Sequence, residues 1–349
     1  MGDHIFLSAP GGGGLMRKIL KLTTPPSVLS SAAVVGHKEF EGPLGADFDM
    51  HSTDDRFGMQ TWEQAESEMQ RRAMELALAK AHLHPADIGA VFAGDLLNQC
   101  TGSSFGLLDF RIPYIGLYGA CSTMAEGLML SALLVGTGIL PCAAAVCSSH
   151  FCSAERQFRT PIEYGGQRAP ISQWTVTGAG AAILSAEGNG PYIREVLPGI
   201  SVERGIKDAN NMGAAMAPAA VDTLSAYFSL SGRAPGSFDA ILTGDLGAVG
   251  HRITTEMLTS VGYPVREIYN DCGLLIYSAH AQDVHSGGSG CGCSASVFCS
   301  TVMKRFREGV YHDVLFVGTG ALMSPGSVQQ GLPIPGIAHL VRISSEKTD

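Results

Sequence analysis

Two short apolar runs that end in the same Gly-Asp dipeptide dominate the pattern of hydrophobic and polar positions. Residues 85–96 have the sequence PADIGAVFAGDL, and residues 235–246 have the sequence PGSFDAILTGDL. Asp95 and Asp245 occupy the same place in the two copies, 150 positions apart. An apolar run that ends in such a turn is typical of a buried parallel strand whose carboxyl end enters a functional turn. The chain is therefore predicted to contain an internal duplication.

Each apolar run is preceded by one predicted helix and followed by another. The first helix is predicted over residues 61–81, because Thr61 and Gln64 form a capping-box pattern ahead of a periodic apolar stripe. Its counterpart in the second half is predicted over residues 217–230. Buried helices are predicted over residues 124–135 and 297–306, after Cys121 and Cys293 respectively.

Further apolar runs at residues 143–148 and 314–318 predict one more strand in each half. Each half then follows the order strand, helix, strand, helix, strand, with parallel pairing, which is an α/β architecture. The second half has a longer gap between strand and helix, which indicates an insertion at about residues 251–285. The first half has its own insertion at about residues 149–177, and insertions are expected in loops beside sites.

The composition narrows the classes of function. Hydrophobic residues make up 45% and charged residues 16% of the 349 residues, which predicts a large core in packed layers, best divided into two halves. The net charge is −9 without a run of Lys or Arg, so nucleic-acid binding is not expected. The most apolar stretch, residues 132–146, contains Gly136, Gly138 and Pro141 and is shorter than the roughly 20 residues that cross a membrane.

Two features bear on the cellular compartment. Residues 1–24 are predicted to be a flexible leader, because they contain Asp3 and four consecutive glycines instead of a basic start and an apolar core. Nine cysteines, an odd number, lie mostly in apolar runs or Gly-rich turns, which is typical of free thiols in a reducing, cytoplasmic compartment.

Cys121 follows Gly119 and Ala120 at the start of a long apolar helix. Unpaired backbone N–H groups and the helix dipole at such a start favour negative charge, which predicts a lowered thiol pKa and attraction of anions. The alternative is a buried cysteine that only packs.

A cysteine at the start of a central helix in a duplicated α/β chain resembles the arrangement in thiolases and ketoacyl synthases, as does the segment TGAGAAI at residues 177–183. A more extensive resemblance, over about residues 27–340, is to the stage V sporulation protein AD family of endospore formers. Its motifs here include AGDLLNQ, YGACST, SSH, AERQFR, EYGGQ, TVTGAGA, MGAAMAPAA, LTGDL, NDCGL, GGSGCGCSA and GTGALMSP.

The resemblance implies a thiolase-like fold of two duplicated α/β halves, layered α-β-α-β-α, with halves at residues 25–190 and 191–349 after the leader. It also implies a protein that binds dipicolinic acid, pyridine-2,6-dicarboxylate, free or as its calcium chelate, and takes part in loading it into the developing spore. The implied partners are other stage V sporulation A proteins at the spore inner membrane and a second copy of the chain. No cofactor is expected.

The residues favour binding over catalysis. A condensing enzyme needs proton-transfer and oxyanion partners for its cysteine, usually His or Asn from the second half. Residues 243–250 and 286–296 contain neither His nor Asn, and residues 318–325 contain no Cys. His285 beside the Gly-rich turn is the one departure, and it does not by itself restore a proton relay. The alternative functions are an acyltransferase of the thiolase class with Cys121 as nucleophile, and a structural subunit without a ligand.

A site for a dicarboxylate needs cationic donors, backbone N–H groups and an apolar slot. We expect it to be formed by Cys121, by His150, Arg156 and Arg159 near the cavity mouth, and by Gly288 and Ser289 of the Gly-rich turn. The alternative for the two arginines is ion pairing with Glu155, Glu163 or a partner subunit. Asp95 and Asp245 are expected to cap adjacent backbone. Cys291 and Cys293 are expected to pack, and no metal site is predicted.

Overall fold

The computed structural model describes residues 17–158 and 168–348. Its strands are β1 Leu20–Lys21, β2 Ser27–Val35, β3 Met50–His51, β4 Ala90–Gly94, β5 Tyr114–Gly116, β6 Cys142–Ser149, β7 Trp174–Thr175, β8 Gly178–Ser185, β9 Tyr192–Leu197, β10 Ala240–Thr243, β11 Tyr269–Asp271, β12 Gly288–Ser289, β13 Asp313–Ala321 and β14 Gly336–Ser344. Its α-helices are α1 His37–Phe40, α2 Trp62–Ala81, α3 Thr101–Gly106, α4 Thr123–Gly136, α5 Phe151–Phe158, α6 Met212–Ser231, α7 Gly247–Ser260, α8 Cys272–Leu275, α9 Cys291–Val297, α10 Met303–Arg307 and α11 Pro325–Gln329.

The strands form two five-stranded arrays with the same order and direction. The first array runs β5-β4-β6-β8-β2 and the second runs β11-β10-β13-β14-β9, and the two meet at a single residue pair between Ser27 and Tyr192. In each array the first three strands are parallel and the last two pair antiparallel. The predicted duplication and parallel pairs are confirmed. Pairing is not parallel throughout, because each array has two further strands that do not belong to the strand-helix repeat. They are β8 and β2 in the first array and β14 and β9 in the second.

The helices lie in three layers around these arrays. Helix α2 packs on the outer face of the first array, and α6 packs on the outer face of the second. Helices α4 and α9 lie between the arrays, where α4 contacts β4 and β6 of the first array and β13 and β14 of the second. Residues from both central helices share one hydrophobic core with Phe316 and Val341. The predicted α-β-α-β-α layering is therefore confirmed.

Helix α2 begins where the capping box predicts: Thr61 accepts from Gln64 N, and Gln64 accepts from Thr61 N. Helix α6 begins at Met212 rather than at residue 217, with Pro218 inside it. Helix α9 begins at Cys291 and continues through a π-helical segment, Phe298–Val302, into α10. The predicted start at residue 297 is therefore too late.

Residues 251–285, predicted to be a loop insertion, contain regular secondary structure that belongs to the duplicated half. It contains most of α7, the edge strand β11 and the short helix α8. Strand β11 pairs with β10 as β5 pairs with β4. The extra length in the second half therefore goes partly into a longer helix before the edge strand, since α7 has 14 residues where α3 has 6, and partly into α8 and irregular connections.

The prediction that residues 1–24 form a flexible leader is wrong for residues 17–24. Strand β1 pairs antiparallel with β9, and Leu22 is buried. Arg17 donates to Asp222 at 2.5 Å and to Thr223 at 2.9 Å on α6. Complementary backbone and charge supplied by the second half fix this segment. Among the described residues, no helix combines the length and the apolarity needed to cross a membrane.

Candidate ligand-binding site

A cavity of about 480 Å³ opens beside Cys121, near the carboxyl ends of β4 and β13. This volume falls within the range of roughly 300–1,000 Å³ that is usual for small-molecule sites. Its wall is mainly apolar, and its polar groups come from Ser, Thr, Asn, Tyr and Glu side chains. The lining residues are Leu96, Tyr118, Ala120, Cys121, Ala154, Glu155, Phe158, Thr175, Ala209, Asn210, Met212, Ser289, Ala321, Leu322, Met323, Ser324 and Ser327.

Cys121 lies in a 3-10 turn, Ala120–Ser122, directly before α4. The preceding Ala120 has a φ of 51°, in the left-handed region that residues with a Cβ seldom adopt. This sharp turn places Cys121 at the cavity wall, where 6% of it is exposed. The predicted position at the start of a buried apolar helix is confirmed.

The prediction that the helix start lowers the pKa of Cys121 is wrong. Burial raises the pKa of the Cys121 thiol well above its ordinary value, and the adjacent Asp245 carboxyl raises it further. The Gly290 N–H acts in the opposite direction and is outweighed. Desolvation and a neighbouring negative charge both disfavour a thiolate. Cys121 is therefore a neutral thiol at physiological pH.

Asp245 lies behind Cys121 and is completely buried. Its carboxyl is in hydrogen-bond contact with the Cys121 thiol, accepts from Thr319 Oγ1 at 2.8 Å and accepts from Gly290 N at 3.0 Å. These partners come from three separate parts of the chain. The expectation that Asp245 caps adjacent backbone is therefore wrong, because other chain segments occupy its hydrogen-bonding positions.

The Gly-rich turn contributes one of its two predicted residues to the cavity. Ser289 lines the cavity, but Gly288 lies outside the lining and pairs with Trp174 in a two-stranded ladder. A Cβ on Gly288 would lie 3.0 Å from Ile276 Cγ2 and 3.1 Å from Val176 Cγ2. Glycine at 288 therefore permits close packing of the wall.

His150 does not line the cavity, although it was predicted near its mouth. It is 1% exposed, with Nε2 2.6 Å from the Asp55 carbonyl oxygen and Nδ1 accepting from Cys152 N at 3.1 Å. Burial lowers the pKa of His150, so it is neutral near pH 7. These contacts give it a structural role in joining two loops, and a ligand contact stays a prediction that the geometry does not favour.

Arg156 lies in a separate cleft of about 250 Å³ beside Thr101 and Ser153. Its guanidinium pairs with Glu63 and lies 5.3 Å from the ring centre of Trp62. Arg156 thus forms an ion pair, with Glu63 instead of the acids expected, and does not reach the mouth near Cys121. Arg159 and Glu163 lie outside the described residues.

The two faces of helix α5 explain why Arg156 does not reach the cavity. Ala154, Glu155 and Phe158 of the AERQFR motif line the cavity, while Arg156 points to the other cleft. Residues four apart share a helix face, so the pair 154 and 158 was the available signal. Sequence reasoning followed the basic residues of the motif and missed the face that carries Glu155.

Arg168 is a cation that pairs with this part of the wall through Glu155. Arg168 donates to Glu155 at 2.9 Å, and its guanidinium lies 5.2 Å from the Trp174 ring centre. The pair is largely buried, with 14% of each side chain exposed. Glu155 is therefore held at the wall by a cation just behind it, a contact that no sequence motif indicated.

The described lining contains no His and no cationic side chain. His285, the one histidine considered as a proton-transfer group, is outside it and lies 3.7 Å from Asp283. Cys291 and Cys293 are buried free thiols directed at the carbonyl oxygens of Ala120 and Gly244. The described residues bring together no group of three or more His, Cys, Asp or Glu suited to a metal ion.

The family model for stage V sporulation protein AD matches residues 16–344 of the chain. The chain belongs to the stage V sporulation protein AD family. It is 43% identical over 315 residues to stage V sporulation protein AD of Bacillus subtilis (strain 168), covering 90% of this chain and 93% of that protein. Membership of this family assigns the chain to sporulation, as the sequence motifs imply.

Two solved structures of low sequence identity share the fold of this family member. Cerulenin-bound OleA from Xanthomonas campestris matches with a TM-score of 0.57 and 14% identity, covering 92% of this chain and 96% of that chain. The 3-oxoacyl-[acyl-carrier-protein] synthase III of Aquifex aeolicus VF5 matches with a TM-score of 0.56 and 13% identity, covering 91% and 99%. The thiolase-like fold class is thereby confirmed; at these identities the likeness concerns the fold alone.

Proposed function

We propose that this member of the stage V sporulation protein AD family binds dipicolinic acid, free or as its calcium chelate, in the Cys121 cavity without catalysing a reaction on it. The observation that carries the proposal is the pairing of a small-molecule cavity with a thiol held neutral by burial and by Asp245. A nucleophilic cysteine needs the thiolate, whereas a binding wall does not.

The volume and the mainly apolar wall of the cavity support a small aromatic ligand. Leu96, Phe158 and Met212 supply apolar surface for a ring, and Ser289 and Asn210 supply hydrogen-bonding groups. Arg168, which pairs with Glu155 of the wall, is a cation available for carboxylate recognition. Glu155 also suits the calcium chelate, since carboxylate oxygen is a preferred ligand of that ion.

Calorimetric titration of the full chain with dipicolinate tests the proposal. Benzene-1,3-dicarboxylate serves as the control ligand, because it keeps both carboxylates and lacks the ring nitrogen. We expect saturable binding of dipicolinate at one site per chain and at least tenfold weaker binding of the control. Absence of saturable binding of dipicolinate, with and without calcium, would overturn the proposal.

Variants locate the site. Cys121→Trp and Leu96→Trp both fill the cavity, and the half-buried Leu96 tolerates the larger ring better than the buried Cys121. Ile139→Trp is the matched control, because Ile139 is 67% exposed and lies outside the lining. We expect both cavity variants to lose at least tenfold in affinity and the control to lose none.

The alternative function, acyl transfer in the thiolase class with Cys121 as nucleophile, has the fold of its solved relatives in its favour. Incubation with acyl-thioesters followed by peptide mass spectrometry distinguishes it. An acyl adduct on Cys121 that turns over would replace binding by catalysis as the function.

We further propose that the protein acts as a homodimer on other stage V sporulation A proteins, at the surface of the forespore or spore inner membrane. Strand β5 is an edge strand in the described sheet, and exposed apolar side chains surround it. They are Phe105, Leu108, Tyr114, Ile115 and Tyr118. An exposed edge strand with such a patch is suited to pairing with a second copy.

Sedimentation velocity tests the homodimer. We expect Ile115→Lys to shift the sedimentation coefficient from the value of a dimer to that of a monomer; a wild-type monomer would overturn this proposal.

A further inference from the structure

Asp245 is a buried carboxyl behind Cys121, outside the cavity lining, and its strongest interactions involve no cation. Its oxygen atoms accept from Thr319 and Gly290, and its third contact is the Cys121 thiol. The pKa of Asp245 is affected most by burial, by these three hydrogen-bonding partners and by the carboxyl of Asp271. A charge placed there is therefore stabilised by hydrogen bonds alone.

The other titratable groups that act directly on Asp245 or sense its charge are a carboxyl and thiols, not cations. Asp271 on β11 raises the pKa of Asp245, and the thiols of Cys272 on α8 and Cys293 on α9 are neutral and sense Asp245 as a negative neighbour. His251 on α7 acts on Asp271 and stacks on Tyr269, 4.4 Å between ring centres. Burial, with the Asp271 carboxyl, raises the pKa of Asp245 to about 7 despite the hydrogen bonds that Asp245 accepts.

The protonation of Asp245 decides which side of the Cys121 thiol faces a ligand. When Asp245 is ionised, the thiol donates its proton to the carboxylate, and the sulfur presents only lone pairs to the cavity. When Asp245 is protonated, its O–H donates to Sγ, and the S–H is free to donate into the cavity. A ligand carboxylate needs that donor and is repelled by an ionised Asp245.

We propose that Asp245 is a positioning residue that acts through Cys121, and that a carboxylate ligand enters the cavity together with one proton that resides on Asp245. This inference rests on the proposed function. The proton comes from solvent, and no covalent bond of the ligand forms or breaks. The site then selects acidic ligands by supplying a donor, Cys121 S–H, only when Asp245 is neutral.

The coupling has a defined pH dependence. Below about pH 7 Asp245 already carries its proton, so binding takes up none. Above that pH each unit reduces the protonated fraction tenfold, so affinity falls up to tenfold per unit and uptake approaches one proton. The carboxylates of dipicolinate are ionised throughout this range, because ordinary carboxyl pKa values lie near 4.

Calorimetry of the full chain with dipicolinate in phosphate, HEPES and Tris measures the uptake directly. These buffers differ in ionisation enthalpy, so the slope of the observed enthalpy against that quantity gives the number of protons bound. We expect about one proton at pH 8.5 and close to zero at pH 6. Saturable binding with no uptake at any pH would overturn the inference while leaving the proposed function intact.

Asp245→Asn assigns the proton to its residue. Asparagine is neutral at all pH values, keeps an acceptor oxygen and offers an N–H to Cys121 Sγ. We expect this variant to bind within about threefold of wild type at pH 6, more tightly than wild type at pH 8.5, and without proton uptake. Asp95→Asn, the same change in the duplicated turn, should keep wild-type uptake.

Three results separate the possible failures. Uptake that persists in Asp245→Asn would place the proton on another group and overturn the inference. If that variant does not fold, wild-type uptake alone still decides whether binding and protonation are coupled. Absence of binding at every pH would overturn the proposed function and this inference together.

Discussion

The turns at Asp95 and Asp245 have nearly the same sequence and different roles. Asp95 accepts from Leu97 N at 2.8 Å and from Ser103 N at 2.7 Å, so it ties its own turn to the start of α3. Asp245 accepts from Gly290 and Thr319, which are distant in sequence, and contacts Cys121. One copy of the motif stabilises a turn, and the other supports Cys121 in the cavity wall.

The difference arises because another residue holds the turn in the second half. Asp271 on β11 accepts from Leu246 N at 2.8 Å and from Gly247 N at 3.0 Å. Gly247 occupies the place that Leu97 has in the first copy. With its turn secured from β11, Asp245 is free to contact Cys121 at the cavity wall. Duplication therefore conserved the turn while separating the structural role from the site role.

The largest effect that tests this comparison is on folding. We expect Asp95→Ala and Asp271→Ala each to lower the free energy of unfolding by about 3 kcal/mol, because each leaves several buried donors without an acceptor. Asp245→Asn should cost about 1 kcal/mol, because its amide oxygen can still accept from Gly290 N while its amide N–H donates to the Thr319 hydroxyl, which can turn to accept. Urea unfolding followed by circular dichroism measures these changes. Equal costs for all three variants would contradict the separation of roles.

The second largest expected effect concerns Glu66 and Asp95, two buried acidic residues in the first half. Burial and Asp95 raise the pKa of Glu66 to about 8, although Ser148 and Ser153 donate to it. The folded state therefore holds a proton that the unfolded state releases near pH 4 to 5, so stability falls as pH rises from about 5 to 8.

We expect wild type to lose about 2 kcal/mol between pH 6 and 8 through this pair, and Glu66→Gln to lose much less. Denaturant midpoints across that pH range provide the measurement. Glu41→Gln is the control, since the Glu41 side chain is 58% exposed. A Glu66→Gln variant with the wild-type pH slope would refute the expectation.

The third effect concerns the thiol beside Asp245. Removing the carboxylate removes one of the two main causes of the raised pKa of Cys121, while burial remains. We expect Asp245→Asn to raise the rate of iodoacetamide labelling of Cys121 about threefold to tenfold at pH 8.5. Peptide mass spectrometry resolves Cys121 from the other eight cysteines. The same change at Asp95 should leave the rate unaltered.

The smallest expected effect is that of replacing Arg156, which lies in the first half of the chain together with Asp95. Its exposed pair with Glu63 should contribute less than about 1 kcal/mol to stability, so Arg156→Ala is expected to fold normally. Dipicolinate affinity should change less than twofold, measured by calorimetry. A tenfold loss would place the ligand in the cleft that Arg156 lines and would overturn its assignment to the Cys121 cavity.

The sequence by itself determined the elements that depend on local pattern. The duplicated runs located β4 and β10, the Thr61 and Gln64 pair located the start of α2, and the apolar stretch after Cys121 located α4. Periodicity and capping are short-range effects, so they can be derived from neighbouring residues. The family motifs fixed the layered fold.

Tertiary structure alone decided the chemistry of the site. The pKa of Cys121, the role of Asp245 and the pairing of Arg156 all depend on groups far away in sequence. The same holds for residues 17–24, which find their partners on β9 and α6. Desolvation and charge act over a few ångströms through space, so identical Gly-Asp turns acquire different functions from what the fold packs against them.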